Sequence, residues 1–450
     1  MAITWTAGVG TSGAFGWGVA AAGATWSGGS CLFHYLVELV SHEYHQKYAD
    51  IGELEHIKDV IKCGSDYLLK VFAPPGAKSN STVGSAGNDT KNLIPNDINC
   101  WKRPEDMSYE RPVSVCNETA SDLAGEIIAA LSAASIVFKQ DNGYSLGLVK
   151  TAEKIYEEAR KFYDSSGYKD ELVWGGTWLF FATGNHTYLD YATANFAAAA
   201  DNETMEDKGI FNWNNKITAN AALGLASNTT EQLMCSYLSD KYFNTTPGGL
   251  ILSRPDNGGA LQYAGTAYFL GKLFNDYLTL IHRSGWNCSD GGFSLEMLQS
   301  FSTSQASLYL STRYNPRKMS YMVGFGDHYP TRVHHWSASI PLDGQYHSCT
   351  KGGRWLNSQD PNTKTILGPM VAGPDRFDDF SDERDKPWFT EPSIASNAGL
   401  VAALIAHHDP PQPSSASNSP NLGLDLMGVF EKVNNLASPN PLLFTKIYMA

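Results

Sequence analysis

Glu53-Leu-Glu-His-Ile-Lys-Asp-Val-Ile-Lys-Cys-Gly-Ser-Asp-Tyr-Leu-Leu-Lys70 places Leu54, Ile57, Ile61 and Leu68 at steps of three or four residues or their multiples. Side chains at that spacing share one face of an α-helix, so the stretch predicts an amphipathic helix with one buried side. The same reading extends along the chain. Leu123-Ala-Gly-Glu-Ile-Ile-Ala-Ala-Leu-Ser-Ala-Ala-Ser-Ile-Val-Phe138 follows a capping-box-like start at Thr119 and Asp122, and its Ala and Gly content allows close helix packing. Further helices are predicted at about 147–163, 170–182, 186–198, 216–226, 230–240, 260–282, 293–311 and 394–407. Sustained β alternation is absent. The pattern is all-α, with helical hairpins of medium length packed in a ring or solenoid. No strict repeat is visible, which favours the ring.

The flanks read differently. The first 30 residues carry no Lys, Arg, Asp or Glu, and Gly interrupts every apolar run. Neither a secretory signal nor a spanning helix has that form, so residues 1–34 read as an atypical Gly/Ala-rich segment, weakly structured or membrane-active. A Gly/Ser/Asn-rich loop covers about 74–99. Pro410-Pro-Gln-Pro-Ser-Ser-Ala-Ser-Asn-Ser-Pro420 marks a linker, so 35–408 is the main domain and 409–450 a linker and tail.

A net charge of −13 argues against a nucleic-acid backbone or an anionic membrane surface as the main partner. Eight glycosylation sequons, at Asn80, Asn88, Asn117, Asn185, Asn202, Asn228, Asn244 and Asn287, favour the secretory route and an N-glycosylated product. The seven cysteines show no zinc spacing. In an oxidising compartment they allow one or two disulfides, Cys100 with Cys116 being the closest pair in sequence, and leave at least one thiol unpaired.

Chemistry-bearing side chains concentrate between Met319 and Glu391. The stretch opens as Met319-Ser-Tyr-Met-Val-Gly-Phe-Gly-Asp-His-Tyr-Pro-Thr-Arg-Val-His-His335 and closes as Phe380-Ser-Asp-Glu-Arg-Asp-Lys-Pro-Trp-Phe-Thr-Glu391. Beside Trp388 and Phe389, a partly desolvated Glu391 would hold its proton and suit general-acid work; equally, it could cap the helix predicted near Ser393. His334 and His335, after Arg332, suit hydroxyl binding or orientation of a carboxylate rather than a shared metal ion.

Together these two regions resemble the signatures of glycoside hydrolase family 9, the inverting cellulases, and within it the plant endo-1,4-β-glucanases of the membrane-anchored KORRIGAN type. The resemblance covers about residues 35–408. It includes Cys100-Trp-Lys-Arg-Pro-Glu-Asp-Met107, Ser121-Asp-Leu-Ala-Gly-Glu126, Asp170-Glu-Leu-Val-Trp-Gly-Gly-Thr-Trp178, Phe211-Asn-Trp-Asn-Asn-Lys216 and Gly368-Pro-Met-Val-Ala-Gly-Pro-Asp375. It implies an (α/α)6 barrel, with its first helix missing or altered in this chain. The implied activity is hydrolysis of internal β-1,4-glucosidic bonds in cell-wall cellulose metabolism, in the secretory pathway, the cell wall or the plasma membrane, without a cofactor. By position, Glu391 becomes the general acid, with Asp382 and His334 in the catalytic site. Trp101, Trp174, Trp178, Trp213, Tyr329, Arg332 and His335 become candidate contacts to a β-1,4-glucan or cello-oligosaccharide. Each tryptophan taken alone reads equally as core.

The chain departs from the family pattern at several points. Inversion needs a second carboxylate to activate water, and the family supplies it from an N-terminal Asp-Ala-Gly-Asp motif that this sequence lacks. Glu38, Glu43 and Asp50, the nearest acids, match helix positions instead. Trp336 replaces an arginine, Ile98 a histidine, Cys63 a tryptophan and Pro387 an aromatic residue. Three expectations therefore stand: an inverting endoglucanase, a glucan-binding homologue without its base, or a non-functional product that folds poorly.

Overall fold

The stretch that begins at Glu53 forms a helix over Leu54–Val71, and most of the periodic sequence behaves likewise. The computed structural model describes residues 43–71, 100–109, 121–161, 169–201, 209–212, 215–221, 227–239, 243–253, 259–288, 291–310, 315–409 and 422–424. Within them the longer helices are α2 (Leu54–Val71), α3 (Ser121–Val137), α4 (Asn142–Lys161), α5 (Lys169–Thr183), α6 (His186–Asp201), α8 (Ser227–Leu238), α9 (Ala260–Leu280), α10 (Leu295–Leu310) and α14 (Ile394–Ala406). The shorter ones are α1 (His45–Asp50), α7 (Ile217–Asn220), α11 (Trp336–Ser339), α12 (Cys349–Leu356) and α13 (Pro387–Thr390). Two antiparallel pairs, β1 (Asn244–Thr245) with β2 (Ile251–Leu252) and β3 (Gly285–Cys288) with β4 (Gly291–Ser294), are the strands among the described residues. Of the helix predicted over 216–226, α7 covers Ile217–Asn220, and 222–226 lie outside the described residues.

Helix packing closes a ring. α3 packs on α4 and α5, α5 on α6 and α7, α9 on α10 and α14, and α14 on α1, which leads through α2 back to α3. Across the remaining gap Thr266 of α9 donates its hydroxyl to the carbonyl of Phe211, 2.9 Å away, just before α7. The Gly content of α3 has the expected use: a Cβ at Gly125 would lie 2.4 Å from the carbonyl oxygen of Glu171 in α5. Gly399 of α14 is equally confined, since a Cβ there would meet the Thr266 amide nitrogen at 2.8 Å. Only a hydrogen side chain lets these backbones approach so closely.

The mid-chain motifs meet in the core. The buried ammonium of Lys216 pairs with the Glu126 carboxylate and donates to the Asn212 carbonyl, while the Lys216 amide donates to Asp170 Oδ2 at 3.0 Å. Burial, and then the Asp170 carboxylate beside it, hold the neighbouring Glu171 well above the usual carboxylate range. A buried ammonium needs such partners to offset its lost hydration, and here they tie α3, α5 and α7 together.

α1 is anchored from both sides. Tyr44 donates to Asp276 Oδ2 at 2.8 Å, Tyr277 donates to Glu43 Oε2 at 2.9 Å, and Lys47 donates to the Ala406 carbonyl at 2.5 Å. Leu424, beyond the Pro/Ser-rich segment, packs against the main core, and a Cβ at Gly423 would meet the Lys47 side chain at 2.7 Å. The Gly/Ala-rich segment 1–34, where a missing or altered first helix is expected, the 74–99 loop and the linker proper lie outside the described residues.

Among the described residues two disulfides form: Cys100 with Cys349, and Cys235 with Cys288. This corrects the pairing of Cys100 with Cys116. The fold brings α12 onto the 100–107 segment, where a Cβ at Gly352 would lie 2.0 Å from the Trp101 carbonyl oxygen, and puts the partner 249 residues away in sequence. Cys63 is free and exposed. Among the described residues no helix is long and apolar enough to cross a membrane.

Candidate active site

Glu391 sits directly after α13, its amide closing the last turn onto the Pro387 carbonyl at 2.9 Å. Pro387 occupies the start of that turn, where its fixed φ is helical and its missing N–H costs nothing. The aromatic residue that the family pattern places at 387 is thus replaced by a residue suited to open the turn carrying the acid. The capping alternative for Glu391 does not hold. Ser393 caps α14 instead, accepting from the Ser396 amide, while the Ser396 hydroxyl accepts from the Ser393 amide. No hydrogen bond or ion pair engages the Glu391 carboxyl among the described residues, and burial alone pushes its pKa up to about 7. A carboxyl in that condition holds its proton until the pH approaches about 7.

Asp382 has the opposite environment. One oxygen accepts from the Thr331 amide and hydroxyl, both at 2.9 Å, and the other accepts from the Arg332 amide at 3.0 Å. Both oxygens are committed to the loop that leads into His334. Asp382 thereby clamps that loop to its own segment.

His334 is fixed at ring and backbone. Its Nδ1 lies 2.6 Å from the Arg384 carbonyl, and its amide donates to the carbonyl of Thr390, the residue before Glu391, at 3.1 Å. A carbonyl can only accept, so the ring proton sits on Nδ1 and Nε2 is left as an acceptor. Burial, outweighing the Arg384 hydrogen bond, lowers its pKa. Behind the ring lies Trp101, edge-on at 4.7 Å between centroids, and behind Trp101 lies Trp336 at 6.0 Å. Trp101 is anchored through its indole N–H to Ser339 Oγ at 3.0 Å. The Trp that stands in place of an arginine at 336 is thus a buried prop for the wall of the site. His335 turns to cap α11, its Nδ1 accepting from the Ala338 amide at 3.2 Å, and burial lowers its pKa to about 4.

The remaining sequence candidates divide. Tyr329 and Arg332 are half-buried on the same loop, Arg332 donating to Gln359 Oε1 at 2.6 Å. Trp174 and Trp178 have 0% exposure and pack in the main core of α5, so neither presents a ring face to a ligand. Their expectation as sugar contacts is corrected: the motif that holds them is part of the packed and ion-paired centre described above. Trp213 lies outside the described residues. Trp388, 52% exposed one turn before Glu391, is the accessible tryptophan of this region. Of the acids weighed as the second carboxylate, Glu43 is buried against Tyr277, Asp50 accepts from Gln46 Nε2 at 2.9 Å, and Glu38 lies outside the described residues. Sequence reading missed Thr390, Arg384 and Asn362. Arg384 sits in a charged run that reads as solvated surface, and Asn362 lies in a loop with no periodic signal.

The comparisons with known proteins agree with this geometry. The family model for Glycosyl hydrolase family 9 matches residues 36–404. Endoglucanase 25 of Arabidopsis thaliana is 43% identical over 81% of this chain and 64% of its own length, and Endoglucanase 10 of Oryza sativa subsp. japonica is 42% identical over the same shares. The chain thus spans about 64% of the length of these curated relatives. Among solved structures, the endoglucanase from the termite Nasutitermes takasagoensis superposes with a TM-score of 0.68 at 27% identity, covering 85% of this chain and 84% of that one. The cellulase Cel9M of C. cellulolyticum shares the fold, with a TM-score of 0.67 at 23% identity over 86% of each chain. The closed ring of helices is the (α/α)6 barrel, and the chain belongs to glycosyl hydrolase family 9.

Proposed function

We propose that this protein is an endo-1,4-β-glucanase that hydrolyses internal β-1,4-glucosidic bonds with inversion, in cell-wall cellulose metabolism. The observation that carries the reading is Glu391, a carboxyl without a partner among the described residues, whose pKa burial pushes up to about 7. It suits proton donation to the departing glycosidic oxygen. His334 and Asp382 complete the site, His334 as an acceptor for a sugar hydroxyl and Asp382 as the clamp on its loop. Tyr329 and Arg332 border the substrate, and Trp101 backs His334. The similarity to plant endoglucanases supports both the substrate class and a secretory location, and the motif resemblance supports the membrane-anchored KORRIGAN type.

Release of reducing ends from soluble carboxymethylcellulose, with the first anomer read by proton NMR, tests the reading. An α-anomer at early times is expected. The alternative expectation, a glucan-binding homologue, is separated by the same assay. It predicts quenching of tryptophan fluorescence by cello-oligosaccharides with no hydrolysis.

Three sequons, at Asn185, Asn244 and Asn287, lie on exposed residues. Expressed through a eukaryotic secretory pathway, the chain is expected to carry N-glycans there. Site-resolved mass spectrometry before and after enzymatic deglycosylation checks this, and three unmodified asparagines would contradict it.

A further inference from the structure

We propose that Arg384 and Asn362 form a brace that sets the orientation and tautomer of the His334 ring, acting as positioning residues for hydrolysis. The inference rests on the reading of His334 as part of a glycosidase site. Arg384 is 2% exposed, and among the described residues no carboxylate lies within ion-pair distance of it. The Asp382 and Asp360 carboxylates act on it only from beyond contact, and a buried guanidinium out of ion-pair contact persists only when its N–H groups are largely satisfied. Four acceptors engage four of its five N–H groups: Asn362 Oδ1 at 2.7 Å from Nε, the Trp355 and Ser358 carbonyls at 2.5 and 3.1 Å from Nη1, and the Asp360 carbonyl at 2.9 Å from Nη2.

All four belong to residues 355–362, the chain that leaves α12. The far end of that segment grips the histidine loop. The Asn362 amide donates to the Thr331 carbonyl at 2.8 Å, and its Nδ2 donates to the Val333 carbonyl at 3.0 Å. The backbone carbonyl of Arg384 meanwhile takes the His334 Nδ1 proton at 2.6 Å. One residue therefore touches the ring directly with its main chain and, through Asn362, holds the backbone beside it with its side chain. A planar fork can span four acceptors in this way, whereas a lysine ammonium offers three donors from a single point.

The test uses Asn362→Leu and Arg384→Lys in the full chain, with selective isotope labelling of histidine and assignment of His334 by a His334→Gln control. In the wild type, NMR should report a neutral His334 ring protonated on Nδ1. In both variants the ring should shift toward a mixture of tautomers, and kcat should fall by about 10–100-fold with little change in KM, as expected for a displaced but still present group. Because Asn362 is only half-buried, its variant decides the matter even if Arg384→Lys does not fold. A folded Asn362→Leu with the wild-type tautomer and wild-type kcat would overturn the brace. Absence of hydrolysis by the wild type would sink the glycosidase reading alone, since the tautomer is read without turnover.

Discussion

Replacing Glu391 by Gln is expected to lower kcat on β-1,4-glucan by about 10²–10⁴-fold, the contribution typical of general acid catalysis, while KM changes little. Among the described residues the carboxyl has no partner that substrate must displace, so binding survives the substitution and proton donation does not. The pH profile carries the same signature. An acid must be protonated to act, so wild-type kcat/KM should fall as pH rises through about 7, and the residual activity of the variant should lack that limb. Stability supplies an independent reading. A carboxyl whose pKa is raised on folding stabilises the fold below its unfolded value and loses that contribution as pH rises from there to about 7. Above pH 7 the variant, whose amide side chain stays neutral, is therefore expected to have a higher Tm than the wild type, the ionised carboxyl costing on the order of 3 kcal/mol. Equal activity of the two proteins on carboxymethylcellulose would remove Glu391 from the mechanism.

The second large effect is expected at Asp382. Asp382→Ala deletes three hydrogen bonds and leaves the Thr331 and Arg332 amides without their acceptor. Each stranded backbone donor costs about 1–3 kcal/mol where water cannot replace the carboxylate. The loop they belong to carries His334 three residues after Thr331, and a misplacement near 1 Å commonly costs about 10²-fold in rate. A fall of that size in kcat, with a lower Tm, is the expected outcome. Asp382→Asn should lie between, since one of its two oxygens is kept. If Asp382→Ala lowers Tm but leaves kcat untouched, the loop is not what places the histidine.

These two acids show where sequence reading reaches and where it stops. The aromatic neighbours of Glu391 were enough to expect a raised pKa, because desolvation by adjacent residues is a local effect. Its alternative as a helix cap was equally open in sequence and is closed by the Ser393 and Ser396 pair. The role of Asp382 as a clamp depends on Thr331 and Arg332, about fifty residues earlier, and no local pattern announces that contact. Trp174 and Trp178 illustrate the converse. Their motif carried a correct family resemblance, yet the side chains are interior, because the same pattern that marks the family also builds the centre of its barrel.

By itself the sequence determined the helices, their apolar faces and the family, since helical periodicity, small-residue spacing and motif order are properties of short stretches. The tertiary structure alone decided that Cys100 joins Cys349, that Trp336 props Trp101, and that Arg384 and Asn362 grip the loop of His334. Each of those choices pairs groups far apart in the chain. Their partners are selected by which buried donors and acceptors must be satisfied once the ring of helices has closed.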